Sequence, residues 1–262
     1  MSTQSWPLVF PWQDLWHRTR TKNELWVETQ SYILTTAENF WDKIQCFIFR
    51  KKVFSSEYEN KNYWPWDYDQ YDKYFNHLVI WDKKSHQICG TYRLQLVTDL
   101  EQSYSNKEFE LDDWIKSSGQ KLELGRACID NSHRNGQVLD LLWKGIGHFA
   151  KTYQVQYLFG LTSLSTLDML QISQITKYLV DQKLLNLETA ISARKEFAMD
   201  IISCSKSFNM KEFLPPLLQS YLKAGANILS YPALDTKFGS VDYLTVLDIN
   251  NLNSSYARRY FN

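Results

Sequence analysis

The chain has few glycines and prolines, nine and six among 262 residues, well below average usage. That scarcity excludes collagen-like and low-complexity chains and leaves little room for long linkers, so a compact fold rich in regular structure is expected. Cysteine is sparse as well: Cys46, Cys89, Cys128 and Cys204 are far apart and form no C-x-x-C pair. This argues against a zinc site and a disulfide framework, and it fits a reducing cytoplasm. Charge of one sign is also lacking, because 29 basic residues balance 29 acidic ones. No broad attraction to nucleic acid is therefore expected. No apolar run approaches the ~18 residues of a membrane span, and the N-terminus lacks a secretory signal pattern. The sequence holds no G-x-S-x-G, G-x-x-x-x-G-K-[ST] or H-E-x-x-H, and its five histidines are dispersed. Serine-hydrolase, phosphate-loop and metal chemistry thus lose their usual signatures, and no metal ligands are assigned.

What is present looks globular. Hydrophobic residues make up 44% and charged residues 22%, near the ~45–50% and ~25% of ordinary domains. Aromatic residues reach 15%, and seven of ten tryptophans (Trp6, Trp12, Trp16, Trp26, Trp41, Trp64, Trp66) fall in the first quarter. Two readings stand: an aromatic arm at a lipid interface, giving peripheral contact at the inner membrane face, or a terminal segment packed across the body.

Along the chain, Trp26 to Leu34 reads as a strand, and Thr35 with Glu38 reads as a capping box before a helix through Phe54. The loop from Ser55 to Asp72 is acidic, with five carboxylates against Lys61. His77 to Trp81 and Gln87 to Val97 predict a hairpin, and Lys121 to Ile129 a further strand. Val138, Leu141, Leu142, Ile146 and Phe149 recur at helical spacing, with Asp140 and Lys144 placed for an i,i+4 pair. Val155 to Leu161 reads as a strand, Leu164 to Phe213 as a helical insertion, and Pro215 to Gly225 as a helix. Strands over Ala226 to Tyr231 and Val241 to Leu247 complete an α/β pattern.

Gly145-x-Gly147-x-x-Ala150 matches a dinucleotide fingerprint, but it lies inside a helix rather than at a strand-to-helix turn, which discounts it. Glu123 and Arg126 carry more weight, since charges inside an apolar strand need partners or a role. Strict alternation puts them on opposite faces; a bulge at Gly125 would turn both toward one cleft. A structural ion pair is the other reading. Arg134-Asn135-Gly136 opens the amphipathic helix as either an anion site or an ordinary turn and cap.

The order of elements and these residues resemble the GNAT acyltransferase fold, and within it the branch of acyl-homoserine-lactone synthases, N-acyl amino acid synthases and ornithine-lipid acyltransferases. The resemblance rests on Arg50-Lys51-Lys52-Val53-Phe54, Asp69 and Asp72, His77-Leu78-Val79, Gly90-Thr91-Tyr92-Arg93-Leu94 and Glu123-Leu124-Gly125-Arg126. It continues through Leu214-Pro215-Pro216-Leu217-Leu218, Tyr221-Leu222, Gly225-Ala226, Pro232-Ala233-Leu234-Asp235 and Phe238. It implies an α/β GNAT-like fold, with a mixed central sheet flanked by helices and a helical insertion. The corresponding organisation is an aromatic N-terminal extension over 1–25, a single domain over 26–250 with its insert at 165–213, and a C-terminal tail over 251–262.

The resemblance also implies transfer of a long-chain acyl group from a carrier-bound thioester to the amine of an amino acid, ornithine-like or other. An ammonium must lose a proton before it attacks, which makes Glu123 the candidate base, directly or through water. A strand end bulged at Ala127 and Cys128 offers backbone N–H to the oxyanion, with no nucleophilic role required of Cys128. Arg93 and Arg126 bind a substrate carboxylate or brace Glu123, with Arg50 among the substrate-binding residues, while Asp69 and Asp72 attract a cationic amine or order the acidic loop. Tyr221 either faces the departing thiolate or packs its helix. The stretch Arg134-Asn135-Gly136-Gln137-Val138-Leu139 keeps one glycine of the pyrophosphate loop of acetyl-CoA-dependent relatives. Arg134 and Gly136 remain the donor-binding candidates, and acyl carrier protein is favoured over CoA as the acyl-phosphopantetheine donor, with no permanently bound cofactor. Lys51, Lys52, Lys144 and Lys151 are either docking charges for an acidic carrier or a solvated face. A lactone synthase using S-adenosylmethionine and a non-catalytic acyl-binding module are the competing readings.

Overall fold

The computed structural model describes residues 25–57, 64–204 and 209–261. The N-terminal extension up to residue 24, with Trp6, Trp12 and Trp16, lies outside the described residues, as do Glu59 and Lys61 of the acidic loop. In chain order the strands are β1 (Trp26–Glu28), β2 (Tyr32–Thr36), β3 (Asn76–Asp82), β4 (Gln87–Leu96), β5 (Gln120–Ile129), β6 (Val155–Leu164), β7 (Asn227–Ile228), β8 (Ala233–Asp235) and β9 (Ser240–Asp248). The helices are α1 (Phe40–Glu57), α2 (Asp112–Lys116), α3 (Gln137–Thr152), α4 (Met169–Asp181), α5 (Pro216–Ala224) and a short α6 (Ser254–Tyr256). The strands form one mixed sheet in the order β1-β2-β3-β4-β5-β6-β9-β7, with β8 also on β9. Only β5 and β6 run parallel, because α3 carries the chain back across the sheet between them.

Alternation along the strands builds two apolar layers. Ile33, Val79 and Trp81 pack under α1 with Phe47 and Val53. Their neighbours Leu34, Leu78 and Ile80 face the other way, onto Leu142 and Ile146 of α3. A third cluster joins α4 and α5 to β9 through Ile172, Leu218 and Tyr243.

Several expected elements differ. The single strand from Trp26 is a hairpin, with Trp26 opposite Thr35. Thr35 therefore pairs in the sheet and cannot cap α1; Asn39 does so, its Oδ1 accepting from the Asp42 N–H at 2.9 Å and its Nδ2 donating to Asp42 at 2.8 Å. Among the described residues, the insertion is α-helical only over Met169–Asp181, with a 3-10 turn at Lys211–Phe213. Elsewhere the insertion is tied to the body by isolated bridges, such as Ile191 with Ser230 and Ala198 with Ala233. The expected tail is part of the body: Tyr260 stacks on Trp143 of α3 at 5.8 Å and donates its hydroxyl to Asp140 at 2.7 Å. This explains Gly147, where a Cβ would collide with the Tyr260 carbonyl, while a Cβ on Gly145 would meet Leu78 at 2.8 Å. The glycines of the fingerprint serve close packing.

Candidate active site

The cleft opens where the two parallel strands part. β5 and β6 pair from Gln120 with Val155 to Glu123 with Phe159, and no further. On its other edge β5 carries a bulge: Arg93 lies opposite Gly125 and Thr91 opposite Cys128, so Arg126 and Ala127 together face the single Tyr92. The left-handed residue is Arg126, at φ +49°, and not Gly125. Gly125 is needed for a different reason, since a Cβ there would stand 3.2 Å from the Arg93 Nε. The bulge breaks the strand's alternation and bends it away from β6.

A cavity of about 420 Å³ fills the parting. It is lined by Arg93, Glu123, Arg126, Ala127, Cys128, Arg134, Gly136 and Tyr221, together with Leu139, Leu142 and Leu217. Eight of the eleven predicted site residues therefore meet at one place. Arg50, Asp69 and Asp72 do not line it and stand behind the wall.

Glu123 is 2% exposed. Its Oε2 accepts from the Tyr104 N–H at 3.0 Å, and its Oε1 accepts from the Ser105 N–H and hydroxyl at 2.6 and 2.5 Å. Burial pushes its pKa up, against the opposing pull of the Ser105 bonds. Neither predicted brace is the observed one. Arg93 donates to Asp69 and Asp72, and Arg126 pairs with Asp67 at 3.2 Å and Asp69 at 3.1 Å. The Glu123–Arg126 ion pair is thus replaced by a network fed from the acidic loop.

That network corrects the role of Arg50 and decides between the two readings of Asp69 and Asp72. Arg50 is fully buried and meets Asp72 through two nitrogens, at 2.7 and 2.9 Å, and Asp67 at 2.7 Å. It has no access to a substrate carboxylate. Asp69 and Asp72 are occupied by arginines and order the acidic loop, the second of their two expected roles: Asp72 accepts from the Asp69 N–H and Asp69 from the Tyr71 N–H, at 2.9 Å each. Burial alone would raise the Asp72 pKa, but Arg50, and then Arg93, hold it well below the carboxylate range. His77, whose Nε2–H donates to the Asp72 carbonyl, is pushed down to about 4, chiefly by burial and then by Arg50.

The remaining residues are placed as follows. Cys128 is buried and its thiol pKa is raised well above the ordinary value by desolvation, so a thiolate nucleophile is disfavoured. Tyr221 hydrogen-bonds the Tyr92 hydroxyl and packs edge-on to Trp143. Arg134 bonds Glu57 and the Ile129 carbonyl, while Gly136 caps α3 at φ +86° with open space around it. Lys52 meets Asp130 at 2.9 Å and Lys144 meets Asp140 at 3.1 Å.

Sequence reasoning missed the loop that holds Glu123, as Tyr104 and Ser105 carry no motif. It also missed Glu108, Asp235 and Asp242, which come together from three separate segments. In the sequence Asp235 stands out only as the end of Pro232-Ala233-Leu234-Asp235.

Comparison with known proteins places this geometry. Residues 49–144 match the acetyltransferase (GNAT) domain family. The L-ornithine N(alpha)-acyltransferase of Rhizobium meliloti is 29% identical over 209 residues, 74% of this chain and 70% of that protein. The enzyme of the same name from Rhodobacter capsulatus is 23% identical over 203 residues, 73% of this chain and 78% of that protein. Among solved structures, FeeM, an N-acyl amino acid synthase from uncultured soil microbes, superposes with a TM-score of 0.48 at 9% identity, covering 85% of this chain and 93% of that one. The chain is thus an acyltransferase, similar over residues 49–144 to the GNAT acetyltransferase domain and over about three quarters of its length to these ornithine acyltransferases.

Proposed function

We propose that this chain transfers a long-chain acyl group from an acyl-phosphopantetheine thioester to the α-amine of ornithine or a closely related amino acid, giving the N-acyl product. The observation that carries this reading is the cavity of about 420 Å³ between β5 and β6. It joins the polar Glu123 and Arg126 wall to an apolar wall of Leu139, Leu142 and Leu217, as a reaction between a polar amine and a lipid chain requires. The relatives named L-ornithine N(alpha)-acyltransferase support ornithine as the acceptor.

In the proposed reaction the neutral amine attacks the thioester carbonyl, and the carbon–sulfur bond breaks as the amide forms. Glu123 takes the ammonium proton through a water, using the Oε2 that accepts only one of the three bonds described above. A backbone N–H at the Arg126–Ala127 bulge stabilises the oxyanion, and Tyr221, which lines the same cavity, gives its hydroxyl proton to the departing thiolate and is reprotonated by the proton that the attacking nitrogen loses as the amide forms. The open N-terminus of α3 at Gly136, with Arg134, takes the phosphopantetheine phosphate. Acyl carrier protein is the proposed donor. The exposed Phe40 and Trp41 at the start of α1 are the described residues best placed for peripheral membrane contact.

The test is mass spectrometry of products from purified protein with long-chain acyl carrier protein, or separately acyl-CoA, a pool of amino acids and S-adenosylmethionine. An amide of a single amino acid is expected, formed mainly from the carrier protein. A lactone formed from S-adenosylmethionine, or no product from folded protein, would overturn the reading.

A further inference from the structure

The cavity has a second charged end. Glu108 follows the Tyr104–Ser105 turn, Asp235 ends β8 and Asp242 lies on β9; one carboxylate oxygen from each lies within 4.8 Å of the others. Their exposures are 0%, 4% and 4%. Asp235 and Asp242 line the same cavity as Glu123 and Arg126. Asp235 accepts the Lys237 and Phe238 N–H groups at 2.9 and 3.0 Å, and stands 3.8 Å from the Lys107 ammonium. Asp242 accepts weakly from Ser240 at 3.3 and 3.4 Å. Glu108 differs from both, because no N–H or hydroxyl reaches its two buried oxygens and its side chain bonds the Asp242 carboxyl, which two carboxyls do by sharing a proton.

Three carboxylates facing one lysine leave negative charge uncompensated in a region of low dielectric, a costly arrangement unless a proton or a cation neutralises it. An alkylammonium suits this set: it brings one positive charge and three N–H donors, matching three acceptors that converge on one point. A divalent ion suits it less, since it calls for six or more oxygens and Asp235 already serves two amides. The placement also fits an amino acid lying along the cavity. The Tyr104 ring has the Arg93 and Arg126 guanidiniums at 5.0 and 5.2 Å and Lys107, 3.8 Å from Asp235, at 5.5 Å, so one ring borders both the arginines and the lysine beside the carboxylates.

We propose that Glu108, Asp235 and Asp242 bind the side-chain ammonium of the acceptor, so that the enzyme selects a diamino acid over a neutral amino acid of equal length. This inference rests on the amino acid N-acyltransferase reading above.

The experiment compares L-ornithine with L-norvaline, which has the same carbon chain without the terminal amine, for the intact chain, Asp242→Asn and Glu108→Gln. The intact chain is expected to favour ornithine by about 10²-fold in kcat/KM, and each variant to reduce that ratio by about 10-fold or more, the scale for losing a charged hydrogen bond. An intact chain that uses norvaline as readily as ornithine, or variants that keep the ratio unchanged, would overturn the subsite and leave the acyltransferase reading standing. Selectivity abolished by EDTA and restored by Mg²⁺ or Ca²⁺ would also overturn it, in favour of a metal site. If no amino acid is acylated, the acyltransferase reading fails instead. Calorimetric titration of the intact chain with each amino acid then decides the subsite: preferential ornithine binding supports it, and equal or absent binding overturns it. The same titration decides the matter where a variant does not fold.

Discussion

Arg93 and Asp69 meet through a single nitrogen, Nη1 of the arginine donating to both carboxylate oxygens at 3.0 and 2.8 Å. Asp69 also accepts from Arg126 Nη2 at 3.1 Å, so one half-exposed carboxylate ties the bulged residue at the cavity to an arginine of the neighbouring strand. Replacing Asp69 by Asn keeps the shape and removes the charge that aims Arg126. The expected result is a rise in acceptor KM of about 10-fold with a change in stability under about 1 kcal/mol, since the pair is partly exposed. Steady-state kinetics and a thermal melt on the same sample check both parts.

Asp72 should behave in the opposite way. It is fully buried between Arg50 and Arg93, and removing its charge leaves two buried guanidiniums short of a partner. Asp72→Asn is expected to cost about 3–5 kcal/mol, the range for breaking a buried pair from one side. The pH dependence follows from the two lowered groups. His77, lowered to about 4, contributes stability above its unfolded pKa near 6.5 that is lost as pH falls toward 4. Asp72 adds a loss at still lower pH, as its carboxylate is forced to protonate. Urea midpoints between pH 7 and 3 should therefore fall in two stages, and a flat profile would contradict the network.

The charge network shows what can be read from the chain and what cannot. Glu123 and Arg126 stood out because charges in an apolar strand are costly without partners, and the bulge was foreseeable from the same conflict. The partner was not foreseeable. Asp67, Asp69 and Asp72 are some 50 residues before Arg126, and only the folded sheet decides that they reach the arginines and not an amine. Regular elements were legible where periodicity was strong, as in α3, whose buried face repeats Val138, Leu142, Ile146 and Phe149. They were obscure where tertiary bridges replaced local hydrogen bonds, as across Leu185 to Ala198. The Glu108–Asp235–Asp242 cluster was invisible because no two of its members share a segment.

Glu123 carries two roles that separate by mutation. Its carboxylate anchors the Tyr104–Ser105 turn and, in the proposed reaction, receives the ammonium proton. Ser105→Ala removes one of the three bonds but leaves the carboxylate, so a fall in kcat below about 10-fold is expected. Glu123→Gln removes the base, and kcat should fall about 10²–10⁴-fold. Equal effects from the two variants would mean that the turn, and not the base, is what the enzyme needs.

Close approach of α3 to the C-terminal segment gives a test of the fold. At Gly147 an added methyl group collides with the Tyr260 backbone carbonyl, which has no rotamer to yield, whereas at Gly145 it meets the flexible end of Leu78. Gly147→Ala is expected to lose about 1–3 kcal/mol through overpacking, despite the better helix propensity of alanine. Gly145→Ala should cost less. Faster hydrogen exchange at residues 254–261 in the Gly147 variant alone would identify the undocked segment.

Glu108 makes the carboxylate cluster sensitive to pH in a direction opposite to His77. Burial first, and then Asp242 and Asp235, push its pKa up to about 9, with Lys107 pulling the other way. A raised carboxyl contributes stability that is complete below its unfolded pKa near 4.5 and is lost as pH rises through 9. Burial also raises Asp242, which adds a change of the same sign. Glu108→Gln holds the site permanently neutral there, so its melting temperature should match that of the intact chain near pH 5 and exceed it by roughly 4 °C or more near pH 9. An ammonium bound among the three carboxylates favours their charged forms, so L-ornithine should stabilise the intact chain more at pH 8 than at pH 5, and norvaline should not. A Glu108→Gln gain that is the same at both pH values would mean the side chain is accommodated as an ordinary buried acid, with no charge for a ligand to meet.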